Sequence, residues 1–247
     1  KDASVACDHY HRWREDVKLI RWLGVGAYRF SIAWPRVLPE GRGRVDQAGL
    51  DFYDLLVDHL LESGIEPFVT LYHWDLPQRL QEQGGWSSRE MADIFVDYAA
   101  AVCGRLGDRV RSWTTFNEPW CVATLGHEKG EHAPGHHDPG ESLRVAHHVL
   151  LAHGKTVRML RGAVRDCSAG IVLNLVPAVP ASGSAGDAEA AREFDGELNR
   201  WYLEPLFRGR YPGDAVADRI SRGHLPPAGP GYIMPGDLET ISSPIDF

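Results

Sequence analysis

Segments of helical period and of strand period alternate along this chain, and that alternation limits its fold more than any single residue does. Between Asp8 and Trp22 the apolar positions Trp13, Val17, Ile20 and Trp22 ride among charges at helical spacing, and Gly24 and Gly26 follow. Residues 27–34 then alternate with period two until Pro35. One face of that strand is Tyr28, Phe30, Ile32 and Trp34, suited to packing under helices; the other is Ala27, Arg29, Ser31 and Ala33. A helix is expected from near Asp46 to Gly64, then a strand at 67–74. Ser87 and Glu90 predict a capping box for the next helix, and a strand follows from Trp113 to Pro119. Residues 121–140 read as a long loop, 141–165 as a helix, 170–176 as a strand and 187–203 as a last helix. Residues 209–239, with many Gly and Pro, read as irregular surface.

A helix followed by repeated strand–helix units, without a linker, predicts one α/β domain with a parallel sheet and right-handed crossovers. The choice is between a doubly wound sheet and a (β/α)₈ TIM barrel. Gly24-Val25-Gly26 precedes the first strand instead of following it, which disfavours a dinucleotide-binding fold.

Composition narrows function by exclusion. The 247 residues are 43% hydrophobic, enough for a core, and carry a net charge of −8 spread without runs, which argues against nucleic-acid or anionic-membrane partners. No apolar run is long enough to span a bilayer. Cys7, Cys103, Cys121 and Cys167 form no C-x-x-C pair, so free thiols and a cytoplasmic, reducing setting are expected. Twelve histidines invite a metal reading, with His136-His137-Asp138 and His147-His148 the densest spots. Adjacent histidines on a helix point apart and no H-E-x-x-H occurs, so no metal site and no cofactor is expected.

Polar residues gather at the carboxyl ends of three consecutive strands: His73, the pair Asn117-Glu118, and Asn174. Each alone has an ordinary reading, as a satisfied core histidine, a solvated turn or a cap. Together they form the pattern a barrel enzyme needs. Alternation along a strand would point Asn117 and Glu118 to opposite faces, so both can serve one site only if the strand twists or bulges there.

These residues belong to a longer set. Asp8-His9-Tyr10, residues 28–36 (YRFSIAWPR), 70–77 (TLYHWDLP), Gly85-Trp86, Phe116-Asn117-Glu118-Pro119, His132-Ala133-Pro134-Gly135 and 205–212 (PLFRGRYP) occur in this order. The chain thereby resembles glycoside hydrolase family 1, the β-glucosidase and 6-phospho-β-glycosidase family. The resemblance implies a (β/α)₈ barrel of which about strands two to five are here. It implies a retaining glycosidase acting on a small β-glycoside or oligosaccharide, without metal or cofactor. Glu118 would be the acid/base and Asn117 would bind the sugar 2-hydroxyl. His73 would bind glycone hydroxyls, Asn174 would line the leaving-group side, and Trp74 and Trp120 would shape the pocket or pack in the core.

In the family the arginine matching Arg29 contacts the nucleophilic glutamate, which lies in a Thr-Glu-Asn-Gly motif that does not occur here. The alternatives for Arg29 are a pair with Glu118 or a wet face. With half the site missing, these residues alone are expected to be an internal piece, inactive, and prone to aggregate through open strand edges. The rival functions are a sugar-binding relative without activity, a 6-phospho-β-glycosidase and a metal-dependent barrel hydrolase.

Overall fold

The computed structural model describes residues 5–247. Four parallel strands lie in sequence order: β1 (Ala27–Ser31), β2 (Glu66–Tyr72), β3 (Ser112–Asn117) and β4 (Ser168–Val172). Helix α1 (His9–Trp22) precedes them. The one-turn α2 (Trp34–Val37) and the long α3 (Gln47–Glu62) join β1 to β2. Short α4 (Gln78–Glu82) and α5 (Met91–Leu106) join β2 to β3, and a π-helix (Cys121–Glu128) with α6 (Pro139–Ala163) joins β3 to β4. After β4 come α7 (Ala185–Asp195), a π turn (Gly196–Arg200), α8 (Trp201–Arg208), α9 (Gly213–Ser221) and α10 (Asp237–Ile241). Among the described residues no helix is long and apolar enough to cross a membrane.

α3 packs on β2, α6 on β3 and β4, and α5 touches both helices. The core lies between this layer and the sheet. Trp34 stacks on Tyr98 at 4.5 Å, and Phe95 meets Phe116 at 4.5 Å. The Tyr98 hydroxyl is satisfied by donating to the Leu71 carbonyl at 2.9 Å, so the large ring can be buried without an orphan polar atom. The period-two reading of β1 is visible in burial: Phe30, Ile32 and Trp34 are buried while Arg29 and Ser31 are exposed.

Several expected boundaries are corrected. β1 stops at Ser31 because Trp34 opens α2, and Pro35 suits a first helical turn. β2 ends at Tyr72, leaving His73 and Trp74 beyond the strand. β4 runs from Ser168 to Val172, because its ladder partner β3 ends at Asn117. The capping box does not form: Glu90 pairs with Arg42, and the Ser87 hydroxyl donates to Glu141. Residues 121–140 are not a loop throughout, since the π-helix takes the first eight of them.

Residues 209–239 hold α9 and part of α10, anchored by the buried Asp237. At the edge of β4 one residue, Ala169, is paired. The Asp246 backbone N–H donates to Ala169 O at 2.9 Å and its carboxylate accepts from Ala169 N at 2.8 Å. Phe247 then lies on Phe68, where a side chain at Gly170 would come within 2.2 Å of the Phe247 carbonyl oxygen.

Candidate active site

The decisive local feature is a bulge in β3. Ser112, Trp113 and Thr114 pair with Ser168, Ala169 and Gly170, but the next pairing is Asn117 with Val172. β3 therefore carries one extra residue, and two consecutive side chains face the helix layer. The Thr115 hydroxyl meets Nδ1 of His153 on α6 at 2.7 Å, and Phe116 packs on Phe95 of α5. The alternation is reset, and Asn117 emerges on the face that carries Arg29.

There the Asn117 amide is held at both ends. Arg29 donates to its Oδ1 at 3.0 Å, and its Nδ2 donates to Nε2 of His73 at 3.3 Å. That second bond requires a neutral His73 acceptor. Partial burial of the imidazole pushes its pKa down, the Arg29 guanidinium pushes it the same way, and Glu118 opposes both. A second N–H of Asn117 remains for a ligand.

Arg29 also donates to the Thr70 hydroxyl at 3.4 Å. Its side chain is exposed in this partial barrel and, among the described residues, it forms no ion pair with Glu118.

Glu118 follows with φ 50°, a left-handed conformation that is strained for a non-glycine residue. Its N–H donates to Val172 O at 2.9 Å and its carbonyl accepts from Cys121 N at 2.9 Å, so the neighbours hold the strain in place. The Cys121 thiol donates to Glu118 Oε2 at 3.2 Å. Trp74, at φ 80°, is the other strained residue here, and its indole N–H donates to the Asn117 carbonyl at 2.9 Å.

Two cavities flank the cluster. One, of about 450 Å³, is lined by Trp74, Asp75, Cys121, His127 and His132 among others. The second, of about 700 Å³, is lined by Arg29, Ser31, Thr70 and His73 among others.

The remaining expected residues lie further out. Asn174 sits two residues past β4, half-buried and, among the described residues, with no hydrogen bond to the cluster. Trp120 is half-buried against the core, with the Lys129 ammonium 5.4 Å over its ring. Trp74 is 37% exposed and faces His132 at 5.1 Å. Trp74 thus lines the smaller cavity, and Trp120 packs against the core.

The profile described as Glycosyl hydrolase family 1 covers residues 1–247. The chain belongs to glycosyl hydrolase family 1. Among curated relatives, Beta-glucosidase A of Acetivibrio thermocellus is 49% identical over 99% of the chain and 53% of the relative. Beta-glucosidase A of Thermotoga maritima is 48% identical, over 99% of the chain and 53% of the relative.

A crystal structure of a psychrophilic beta-glucosidase from Micrococcus antarcticus superposes with a TM-score of 0.93 at 52% identity, covering 100% of this chain and 51% of that one. The Thermotoga maritima family 1 enzyme in complex with isofagomine lactam gives a TM-score of 0.91 at 48% identity, covering 98% of this chain and 53% of that one. The chain spans about half the length of the curated relatives it matches. Its four strands are a partial (β/α)₈ barrel, as the sequence led one to expect.

Three features of this region escaped the sequence reading. Cys121 follows Glu118 by three residues, a spacing that a helical turn after Pro119 could have suggested. Asp75 is pushed up to about 7 by burial, partly offset by Arg36, and nothing in Trp74-Asp75-Leu76 announces that.

The third concerns histidines. His147 and His148 do diverge, one to Asp237 at 2.9 Å and the other to the Trp86 carbonyl at 2.9 Å. His136, however, meets His127 and Glu141: one ligating atom of each lies within 4.8 Å of the others. Glu189, Glu193 and Asp218 form a second such group, already engaged by Arg192 and Arg222.

Proposed function

We propose that this chain carries the acid/base half of a retaining β-glycosidase of β-glucosidase type. Glu118 protonates the departing glycosidic oxygen and later takes a proton from the attacking water. The second carboxylate, the nucleophile, would stand about 5–5.5 Å from Glu118, as a retaining mechanism requires. The Thr-Glu-Asn-Gly motif that carries the nucleophile in the family does not occur in these 247 residues, and the reading assigns that carboxylate to sequence outside them.

The observation that carries the reading is the bulge that turns Asn117 onto the Arg29 face beside Glu118. The free N–H of Asn117 suits a sugar hydroxyl next to the anomeric carbon, and neutral His73 suits a neighbouring glycone hydroxyl. Trp74 offers an apolar ring face to the sugar. The relatives described as β-glucosidases, and the neighbour bound to isofagomine lactam, support an unphosphorylated β-glucoside or β-galactoside as substrate.

The test is Glu118→Gln in the full enzyme, assayed on an aryl β-glucoside. Loss of general acid/base catalysis predicts a fall of about 10²–10⁴-fold in kcat/KM. Hydrolysis at the unsubstituted rate would end the assignment.

A further inference from the structure

The proposed hydrolysis assigns no role to the cluster of His127, His136 and Glu141. The cluster joins three separate pieces of chain: the last turn of the π-helix, the loop after it, and the first turn of α6. The ring of His127 is 2% exposed as a residue, and its Nδ1 donates to the Val122 carbonyl at 2.9 Å. A carbonyl only accepts, so that bond fixes the tautomer and leaves the lone pair on Nε2. Nε2 is buried and has no hydrogen-bond partner. A buried imidazole oriented through one nitrogen by a backbone carbonyl, with the other nitrogen bare, is the arrangement that metal-ligating histidines adopt.

The other two members fit the same reading. His136 Nδ1 lies 2.9 Å from Glu141 Oε2, and the Ser87 hydroxyl donates to the other oxygen of Glu141. Both Glu141 oxygens are thus engaged, one by Ser87 and one by His136, which holds the carboxylate in a fixed orientation. The rings of His127 and His136 stand edge to face with centroids 5.5 Å apart. Ligands of a tetrahedral zinc ion lie about 3.3 Å from one another. To reach that value the present spread of up to 4.8 Å would have to close by rotation of the His136 side chain, which is exposed. A cation would replace the proton now shared by His136 and Glu141.

We propose that His127, His136 and Glu141 form a divalent-cation site of the two-histidine, one-carboxylate type, with zinc the best-matched ion. Three protein ligands leave a fourth position for water. A cation held there would tie the π-helix, whose first residue Cys121 contacts Glu118, to α6. The proposal stands on side-chain geometry alone and does not depend on the reaction.

The experiment is zinc titration of the chelator-treated full chain, by calorimetry and by cobalt substitution. Expected are one zinc bound per chain at micromolar protein and the visible absorption of tetrahedral cobalt. His136→Ala, on an exposed loop and safe for folding, should weaken binding at least tenfold and abolish the cobalt bands, while His137→Ala leaves both unchanged. Absence of zinc binding, or zinc binding that survives His136→Ala, would overturn the site.

Discussion

The guanidinium of Arg29 and the side-chain oxygen of Asn117 meet at 3.0 Å across two parallel strands, β2 lying between them. The contact exists only because β3 gains a residue between Thr114 and Asn117. It orients an amide that keeps a free N–H, so in the proposed reaction Arg29 would act through Asn117 as well as through its charge.

Arg29→Met in the full enzyme should therefore lower kcat/KM by about 100-fold, the scale of a misplaced positioning group. The melting temperature should fall by only about a few degrees, because what is lost is two hydrogen bonds, to Thr70 and Asn117. A large loss of stability with little loss of activity would mean that Arg29 only holds the sheet.

Cys121 is expected to support Glu118 through its thiol. Cys121→Ala removes one hydrogen bond worth about 1 kcal/mol and should lower kcat about fivefold with KM unchanged. Burial pushes the Cys121 thiol up to about 12, and the Glu118 carboxylate adds to the rise. Iodoacetamide at neutral pH should then label the exposed Cys7 while sparing Cys121 until the chain unfolds. Rapid labelling of Cys121 would contradict its burial.

His153, which grips Thr115 in the bulge, makes stability acid-sensitive. Burial pushes its pKa from 6.5 down to about 3. Above pH 6.5 both folded and unfolded chains hold it neutral. Below that, the unfolded chain takes up a proton that the folded chain refuses until about pH 3, so stability falls as the pH falls through this window. His148, pushed by burial to about 4, adds to the same trend. His153→Gln should reduce the slope of unfolding free energy against pH, between pH 6 and 4.5, by about 1.4 kcal/mol per pH unit. An unchanged slope in urea titrations would refute the neutral buried histidine.

Asp237 is expected to anchor α10 to the body. Burial works against its charge, yet hydrogen bonds from Arg89 and His147 hold its carboxyl well below the usual carboxylate range. Arg89 donates at 2.8 Å, His147 at 2.9 Å and the Met234 N–H at 2.8 Å. Asp237→Ala strands these donors and should cost about 3 kcal/mol, read as a lower urea midpoint. A shift below the error of the measurement would show that the segment is held by apolar packing instead.

How far the sequence could be read differs by element. The helix and strand periods of residues 8–117 were legible because one face of each element is buried, and burial imposes periodicity. The ends of β2 and β4 were not, since a strand stops where its partner stops. The π-helix was hidden because residues 121–140 are rich in Gly, His and Pro and have no sustained stripe. Ser87 and Glu90 had the spacing of a capping box, but tertiary partners, Glu141 and Arg42, competed more strongly for both side chains.

By itself the sequence determined the strand–helix order, the parallel sheet, the membership suggested by its motifs and the residue types at the strand ends. Those follow from local periodicity and from short runs of chain. Only the tertiary structure decided which way Asn117 points, what Arg29 holds, that Cys121 touches Glu118 and that His127 meets His136 and Glu141. Each of those depends on pairing between segments far apart in the chain: a one-residue bulge is defined against β4, and a ligand cluster against α6. No pattern within a single segment encodes such a pairing.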